Sequence, residues 1–162
     1  MKNRFFVDPY KLGAAAGTVL VCLLLCLWNL FRGVPLGLLF LLPALPFIYV
    51  AWLYGSVVEI REDEIRVLRA GRTARSLSWA ETAEMGVLGT KVFNRSNPEK
   101  TGTMYIYFSP VALDEDSRFQ LALKWPPKEQ IYLLYTKERM DYIRPLWEGK
   151  VQKYNTGKNL MV

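Results

Sequence analysis

The chain has 162 residues, 51% of them hydrophobic, with 21 Lys and Arg against 15 Asp and Glu for a net charge of +6. It holds no histidine and two cysteines, so the usual general base and the usual zinc ligand are both missing. The length suits one soluble domain, but the apolar residues are concentrated near the N-terminus, which excludes an ordinary water-soluble chain.

Residues 1–12 are a short segment carrying Lys2, Arg4 and Lys11. From Gly13 to Phe31 the chain runs GAAAGTVLVCLLLCLWNLF without a charge, and after Arg32 and Gly33 it runs VPLGLLFLLPALPFIYVAWLY, again uncharged, to Tyr54. Each stretch has the length that crosses a hydrocarbon core of about 30 Å. No small-x-small cleavage site follows the first stretch, and Val21 precedes Cys22 where a lipoprotein signal needs a small residue, so a retained transmembrane hairpin over 13–54 is expected. Basic residues flank its outer ends and only Arg32 marks its turn, which places both termini in the cytoplasm of a multi-pass cell-membrane protein. Pro35, Pro43 and Pro46 predict an irregular second span. Neither span carries a charge for a transport pathway, Cys22 and Cys26 suit packing better than metal binding, and the hairpin is a candidate surface for oligomerisation.

From Gly55 the texture changes to short alternating segments. Residues 56–62, 64–69, 73–79, 83–93 and 103–109 read as strands, the fourth open to a bulge at Gly86 or Gly89, with a polar loop before the fifth. Residues 117–125 contain a capping-box pair, Ser117 and Gln120, but Phe119, Leu121, Leu123 and Trp125 alternate, and a strand is expected there. QIYLLYT (130–136) is a further strand, and Thr136 an N-cap for a closing helix with an apolar stripe of Met140, Ile143, Trp147, Val151 and Tyr154, which Pro145 kinks or cuts. That stripe is expected to cover one end of the sheet, with partner binding as the alternative. Residues 155–162 read as a flexible tail.

The hairpin with REDEIRV, the basic turn AGR, SLSWAETAEMGV, MYIYFS and IYLLYTKERMDYIRPLW together resemble bacterial pleckstrin-homology-like domain proteins carried on two membrane spans. The resemblance implies a membrane-anchored α+β chain: a transmembrane helical hairpin, then over 55–154 an antiparallel β-barrel or two-sheet domain capped by a C-terminal helix. It implies a non-enzymatic role and no catalytic residues. Eukaryotic relatives that hold phosphoinositides use a basic first turn, whereas here the turn is Glu62, Asp63 and Glu64, which would repel phosphate.

No cofactor or metal is expected. Asp114, Glu115 and Asp116 lack the ligand spacing and glycine of a calcium loop, GVLGTK (86–91) has the wrong spacing for a phosphate loop, and Glu81 with Glu84 reads as solvent-facing. Asn94, Arg95 and Ser96 match a glycosylation sequon by chance. Nucleic acid is not expected: after the anchor, 17 basic and 14 acidic residues give a thinly spread net of +3.

Arg66, Arg69, Arg72 and Arg75 recur at every third position. Gly71 and the following Thr and Ser residues argue against a voltage-sensing helix and for a β-hairpin. A three-residue loop of Arg69, Ala70 and Gly71 keeps Ile65, Val67, Leu77 and Trp79 on one face; in that register Arg66 and Arg72 share one face, Arg75 lies on the other and Arg69 is at the tip. The first strand leaves the membrane for about 20 Å and the second returns, so Arg69, Arg72 and Arg75 are candidate contacts to anionic lipid headgroups. The expected function is a membrane-tethered interaction or scaffold module with an unidentified protein partner; the alternatives are an anionic-lipid sensor and an accessory subunit of a transporter or channel.

Overall fold

The computed structural model describes residues 3–91 and 101–155, and they divide into two units: Phe6–Val57, and the residues before Phe6 together with those after Val57. The first unit is a helical hairpin. Helix α1 (Pro9–Phe31) begins four residues before the uncharged run, because Asp8 caps it by accepting a hydrogen bond from the Lys11 N–H at 3.0 Å and Pro9 fits the first turn. It ends where Gly33 adopts a φ of 74°, a left-handed conformation that costs glycine little. The next segment is a 3-10 helix (Pro35–Phe40) that passes into α2 (Leu41–Tyr54), so the proline-rich span is irregular at its start, as its sequence predicts. Pro9–Phe31 and Pro35–Tyr54 are long and apolar enough to cross a membrane.

Small residues make the contact between these helices. Ala15, Cys22, Cys26 and Ala44 are buried while most of the large side chains of both helices face outward, Tyr54 at the end of α2 excepted. A Cβ at Gly37 would lie 2.6 Å from the Asn29 Cβ, so only glycine allows this approach. Asn29 and Thr18 donate their side-chain hydrogen bonds to Leu25 O and Ala14 O of their own helix, which removes the cost of polar groups in an apolar span.

The second unit is a pair of four-stranded sheets. One sheet has the order β1 (Arg4–Phe6), β2 (Val57–Ile60), β3 (Glu64–Arg69), β4 (Arg72–Ser78). The other is built from β5 (Glu84–Lys91), β6 (Thr101–Ser109), β7 (Ile131–Leu134) and β8 (Val151–Asn155), in the order β7-β6-β5-β8. Among the described residues these sheets do not close into a barrel. Their facing sides supply the core: Val58, Ile60, Ile65, Met85, Ile106 and Phe108 are fully buried.

Strand β1 was not foreseen from the sequence. It is three residues of an N-terminal segment, tied to β2 by the Ile60 N–H donating to Asn3 O at 2.8 Å, with Val7 N–H donating to Ser56 O at 3.0 Å. The helical hairpin is therefore an insertion between two antiparallel neighbours of one sheet. The buried Glu59 carboxylate reinforces the join, accepting from Arg4 Nε at 2.8 Å and Arg61 Nε at 3.1 Å.

The β3–β4 turn corrects the predicted loop. Arg69 pairs with Arg72 across a two-residue turn in which Ala70 has φ 47° and Gly71 φ 77°, the pattern that matches strand twist. Ile65 still faces Leu77, because a bulge at Ala74 shifts the register between Val67 and Leu68 and restores the phase. Arg72 consequently shares a face with Arg69 and Arg75, not with Arg66.

Two more expectations fail for identifiable reasons. Residues 117–125 are not a strand: helix α3 (Glu115–Leu123) starts at Asp114, whose carboxylate accepts from the Ser117 N–H at 2.8 Å, and the acidic cluster occupies its first turn. Phe119, placed inward by the alternating pattern, is exposed, while Leu121 and Ala122 are buried. The closing helix is short. Thr136 caps α4 (Lys137–Ile143), but a 3-10 turn (Arg144–Leu146) around Pro145 ends it, and Val151 and Tyr154 lie in β8, which pairs with β5 in parallel. Pairing with β5 satisfies the backbone of a segment whose spacing alone resembled a helix. The sequon at Asn94 and the tail after Asn155 lie outside the described residues.

Two substitutions check the backbone. Ala70→Asn is expected to stabilise the sheets by about 1 kcal/mol, since asparagine tolerates the left-handed region better than alanine. Gly86→Ala should destabilise by about 2 kcal/mol, because its Cβ would lie 2.7 Å from Gln152 O and from the Tyr107 ring. Urea unfolding followed by tryptophan fluorescence, with the chain in detergent micelles, measures both.

Candidate functional site

Two polar features stand out in the two-sheet unit, one closed and one open. The closed one is centred on Glu84 at the start of β5. Its carboxylate is buried and accepts from Arg118 Nε at 2.9 Å, Arg118 Nη2 at 2.7 Å, the Leu113 N–H at 2.9 Å and the Tyr107 hydroxyl. Burial by itself would raise the carboxyl pKa, but the bonds from Arg118, Tyr107 and Leu113 outweigh it and hold the group below its ordinary range. Burial and the same carboxylate push the Tyr107 hydroxyl up, and Glu84 pushes Arg118 up. All four acceptor positions of the carboxylate are used, which makes this a fastening of α3 and the 109–114 loop to β5 and β6. Glu84 is thus not solvent-facing, and it does not act with Glu81, which instead accepts from the Ser78 N–H at 3.3 Å and the Ser78 hydroxyl at 2.8 Å.

The open feature lies where the two sheets fail to join. Strand β4 ends one sheet and β7 ends the other, and between them is a cleft of about 550 Å³. Arg75, Ser76 and Leu77 of β4 line one side, Glu129 and Ile131 the other, and Glu81 stands at the corner. Arg75 spans it, donating to Gln130 O at 3.4 Å and to Lys128 O. The geometry places Arg75 as a bridge across the cleft, a role its position in an arginine repeat did not suggest.

The other predicted site residues divide between surface and core. Arg69 is half-buried beside the turn and Arg72 is exposed. On the closing helix Ile143 is fully buried and Met140 half-buried. The Trp147 ring lies 6.4 Å from Trp79, which meets Phe108 edge-on at 5.8 Å, and Val151 pairs with Met85. Phe5 of β1 meets Tyr142 edge-on at 5.8 Å. The stripe therefore faces its own sheets, and Met140, Ile143, Trp147 and Val151 do not form one exposed docking face.

Comparisons with protein-family models, with curated proteins and with solved structures found no match.

The Glu84 fastening gives a clear stability test. Arg118→Met leaves a buried carboxylate without its cation and should cost about 3 kcal/mol, whereas Arg118→Met combined with Glu84→Gln should cost less, because no charge is stranded. Acid should act on the same group: its folded pKa is lowered, so its stabilisation is complete above the unfolded value of about 4.3 and is lost as pH falls through the lower folded value. Unfolding curves between pH 7 and pH 3 should therefore fall less steeply for Glu84→Gln than for the parent chain.

Proposed function

We propose that this chain is a non-enzymatic, membrane-tethered interaction module of the bacterial pleckstrin-homology-like type, with its two-sheet unit in the cytoplasm. The observation that carries the reading is the insertion of a strongly apolar helical hairpin between two paired strands of a unit that, among the described residues, leaves a strand edge open. An anchor at the bilayer and an unpaired edge suit a protein that collects a partner at the membrane surface. The two four-stranded sheets are in keeping with a pleckstrin-homology-like fold. The parallel β8, the seven-residue α4 and the unclosed sheets are departures from the expected pattern.

The tether and its orientation are tested together. The chain should remain in the membrane pellet after alkaline carbonate extraction. In a variant with Cys22→Ala and Cys26→Ala, a reporter Glu62→Cys should react with an impermeant maleimide only after the cells are opened. Release by carbonate would refute the tether; labelling in intact cells would refute the orientation.

A second reading, contact with anionic lipid, is favoured by Arg69 and Arg72 flanking the β3–β4 turn with Arg72 exposed. It predicts slower amide exchange over 69–73 in phosphatidylglycerol nanodiscs than in phosphatidylcholine nanodiscs at low salt, and loss of the difference in Arg69→Glu with Arg72→Glu. Equal exchange in the two lipids would reject it.

A further inference from the structure

We infer that the cleft between β4 and β7 receives a single extended acidic peptide segment, which adds as a strand to the β4 edge; this rests on the interaction-module reading and names its site and partner chemistry. The register identifies the backbone groups involved. Trp79 N–H donates to Asp63 O at 3.2 Å, so Asp63 and Trp79 are a hydrogen-bonded pair, and the alternation of antiparallel ladders makes Ser78 and Ser76 non-hydrogen-bonded positions opposite Glu64 and Arg66. The peptide groups of Ser78 and Ser76 consequently point away from β3. Those of Ser78 are already occupied: its N–H donates to Glu81 and its carbonyl accepts from the Thr82 N–H at 3.1 Å. Ser76 lies one step further along, exposed, on the wall of the cleft.

The opposite wall offers matching groups. The carbonyls of Lys128 and Gln130, just before β7, accept hydrogen bonds from the Arg75 guanidinium. A side chain from one edge thus satisfies main-chain acceptors on the other, where the N–H groups of an added strand would otherwise go. The entering strand takes over those acceptors and releases Arg75.

Size and charge select the occupant. A cleft bridged by one arginine side chain admits a single strand and not the sheet of a second copy. Once released, Arg75 stands with Arg72 along the same face of β4. Glu81, kept ionised by its bonds from Ser78, and Glu129 also line the cleft, so the cations that an added strand meets are those on the β4 face, Arg72 and Arg75. The positions an added strand places opposite Arg72 and Arg75 therefore favour carboxylates. Arginines along the edge also disfavour addition of a basic or purely apolar strand, which limits aggregation through the same edge.

The test uses the full chain in phosphatidylcholine nanodiscs and a fluorescein-labelled eight-residue peptide of alternating glutamate and valine, with a lysine–valine peptide as the counterpart. Fluorescence anisotropy should show saturable binding of the glutamate peptide alone. Ser76→Pro removes an outward N–H without breaking the β3 ladder and should weaken binding about tenfold or more, as should Arg72→Glu. Unchanged unfolding midpoints establish that both variants are folded. Absence of saturable binding by the glutamate peptide, equal binding of both peptides, or wild-type affinity in Ser76→Pro would overturn the assignment. A photo-crosslinking residue placed in cells at Ser76, and separately at exposed Phe119 on α3, separates this inference from the broader reading. An adduct at Ser76 whose crosslinked segment, sequenced by mass spectrometry, is acidic supports the inference; a non-acidic segment there, or an adduct at Phe119 alone, overturns it and leaves the module; no protein adduct at either position counts against both.

Discussion

The Glu84 carboxylate is the point on which the second sheet depends. It sits at the first residue of β5, and the groups that bind it come from β6, from the loop after β6 and from α3, so one buried charge fixes the relative placement of three segments. The cost of burying it is offset because every acceptor position is filled and the balancing cation is bidentate. Gly86, two residues along β5, leaves room for the Tyr107 ring and for the backbone of β8, so the same few residues that seat Tyr107 also admit the parallel strand. Leu88, Tyr107, Leu121 and Ala122 then form an apolar cluster beside the network. A charge pair sets the position; apolar burial supplies most of the cohesion.

The first sheet is held differently. Glu59 is buried, but its cations come from Arg4 and Arg61, which lie on either side of it in the chain and are themselves partly exposed. The Arg4 bond is the main cause of its lowered pKa. Because Arg4 precedes the helical hairpin and Glu59 follows it, this pair and the β1–β2 hydrogen bonds close a loop that contains all of Phe6–Val57. The unit containing the sheets is therefore discontinuous in sequence, and a cut at Ser56 would remove β1 and one of the two cations of Glu59. That makes the intact chain the proper object for any binding measurement.

Elements set by local chemistry were legible in the sequence. The two apolar helices, β3, β7, the Thr136 cap and the inward face of Ile65 and Leu77 follow from uninterrupted hydropathy, period-two alternation and a capping hydroxyl. Elements that depend on distant partners were not. Strand β1 is three residues that become a strand only because β2 lies beside them, after a hairpin of some fifty residues. Segment 151–155 shares its apolar spacing with a helix, and only the free edge of β5 makes it a strand. The bond between Glu84 and Arg118 joins residues 34 apart, with no local signal beyond an acidic residue opening an apolar strand. For 117–125 the decisive signal is local: Asp114, three residues before Ser117, is a stronger cap than the Ser117 and Gln120 pair.

In the arginine repeat, register decides which side chains share a face. Three-residue spacing has no meaning in a strand, where faces alternate, and an uninterrupted β4 with a two-residue turn would have sent Leu77 away from Ile65. The bulge at Ala74 keeps Leu77 inward and, in the same step, gathers Arg69, Arg72 and Arg75 on one face beside an open edge. Arg75 then reaches Lys128 O and Gln130 O, and Arg72 stays exposed. A one-residue insertion in an edge strand has thus separated Arg66 from the other three cations, of which Arg75 lines the cleft. Edge strands commonly carry cations to prevent pairing with other chains. In the proposed docking the cleft admits one strand, and the same cations that exclude a neighbouring sheet supply the charge that selects an acidic one.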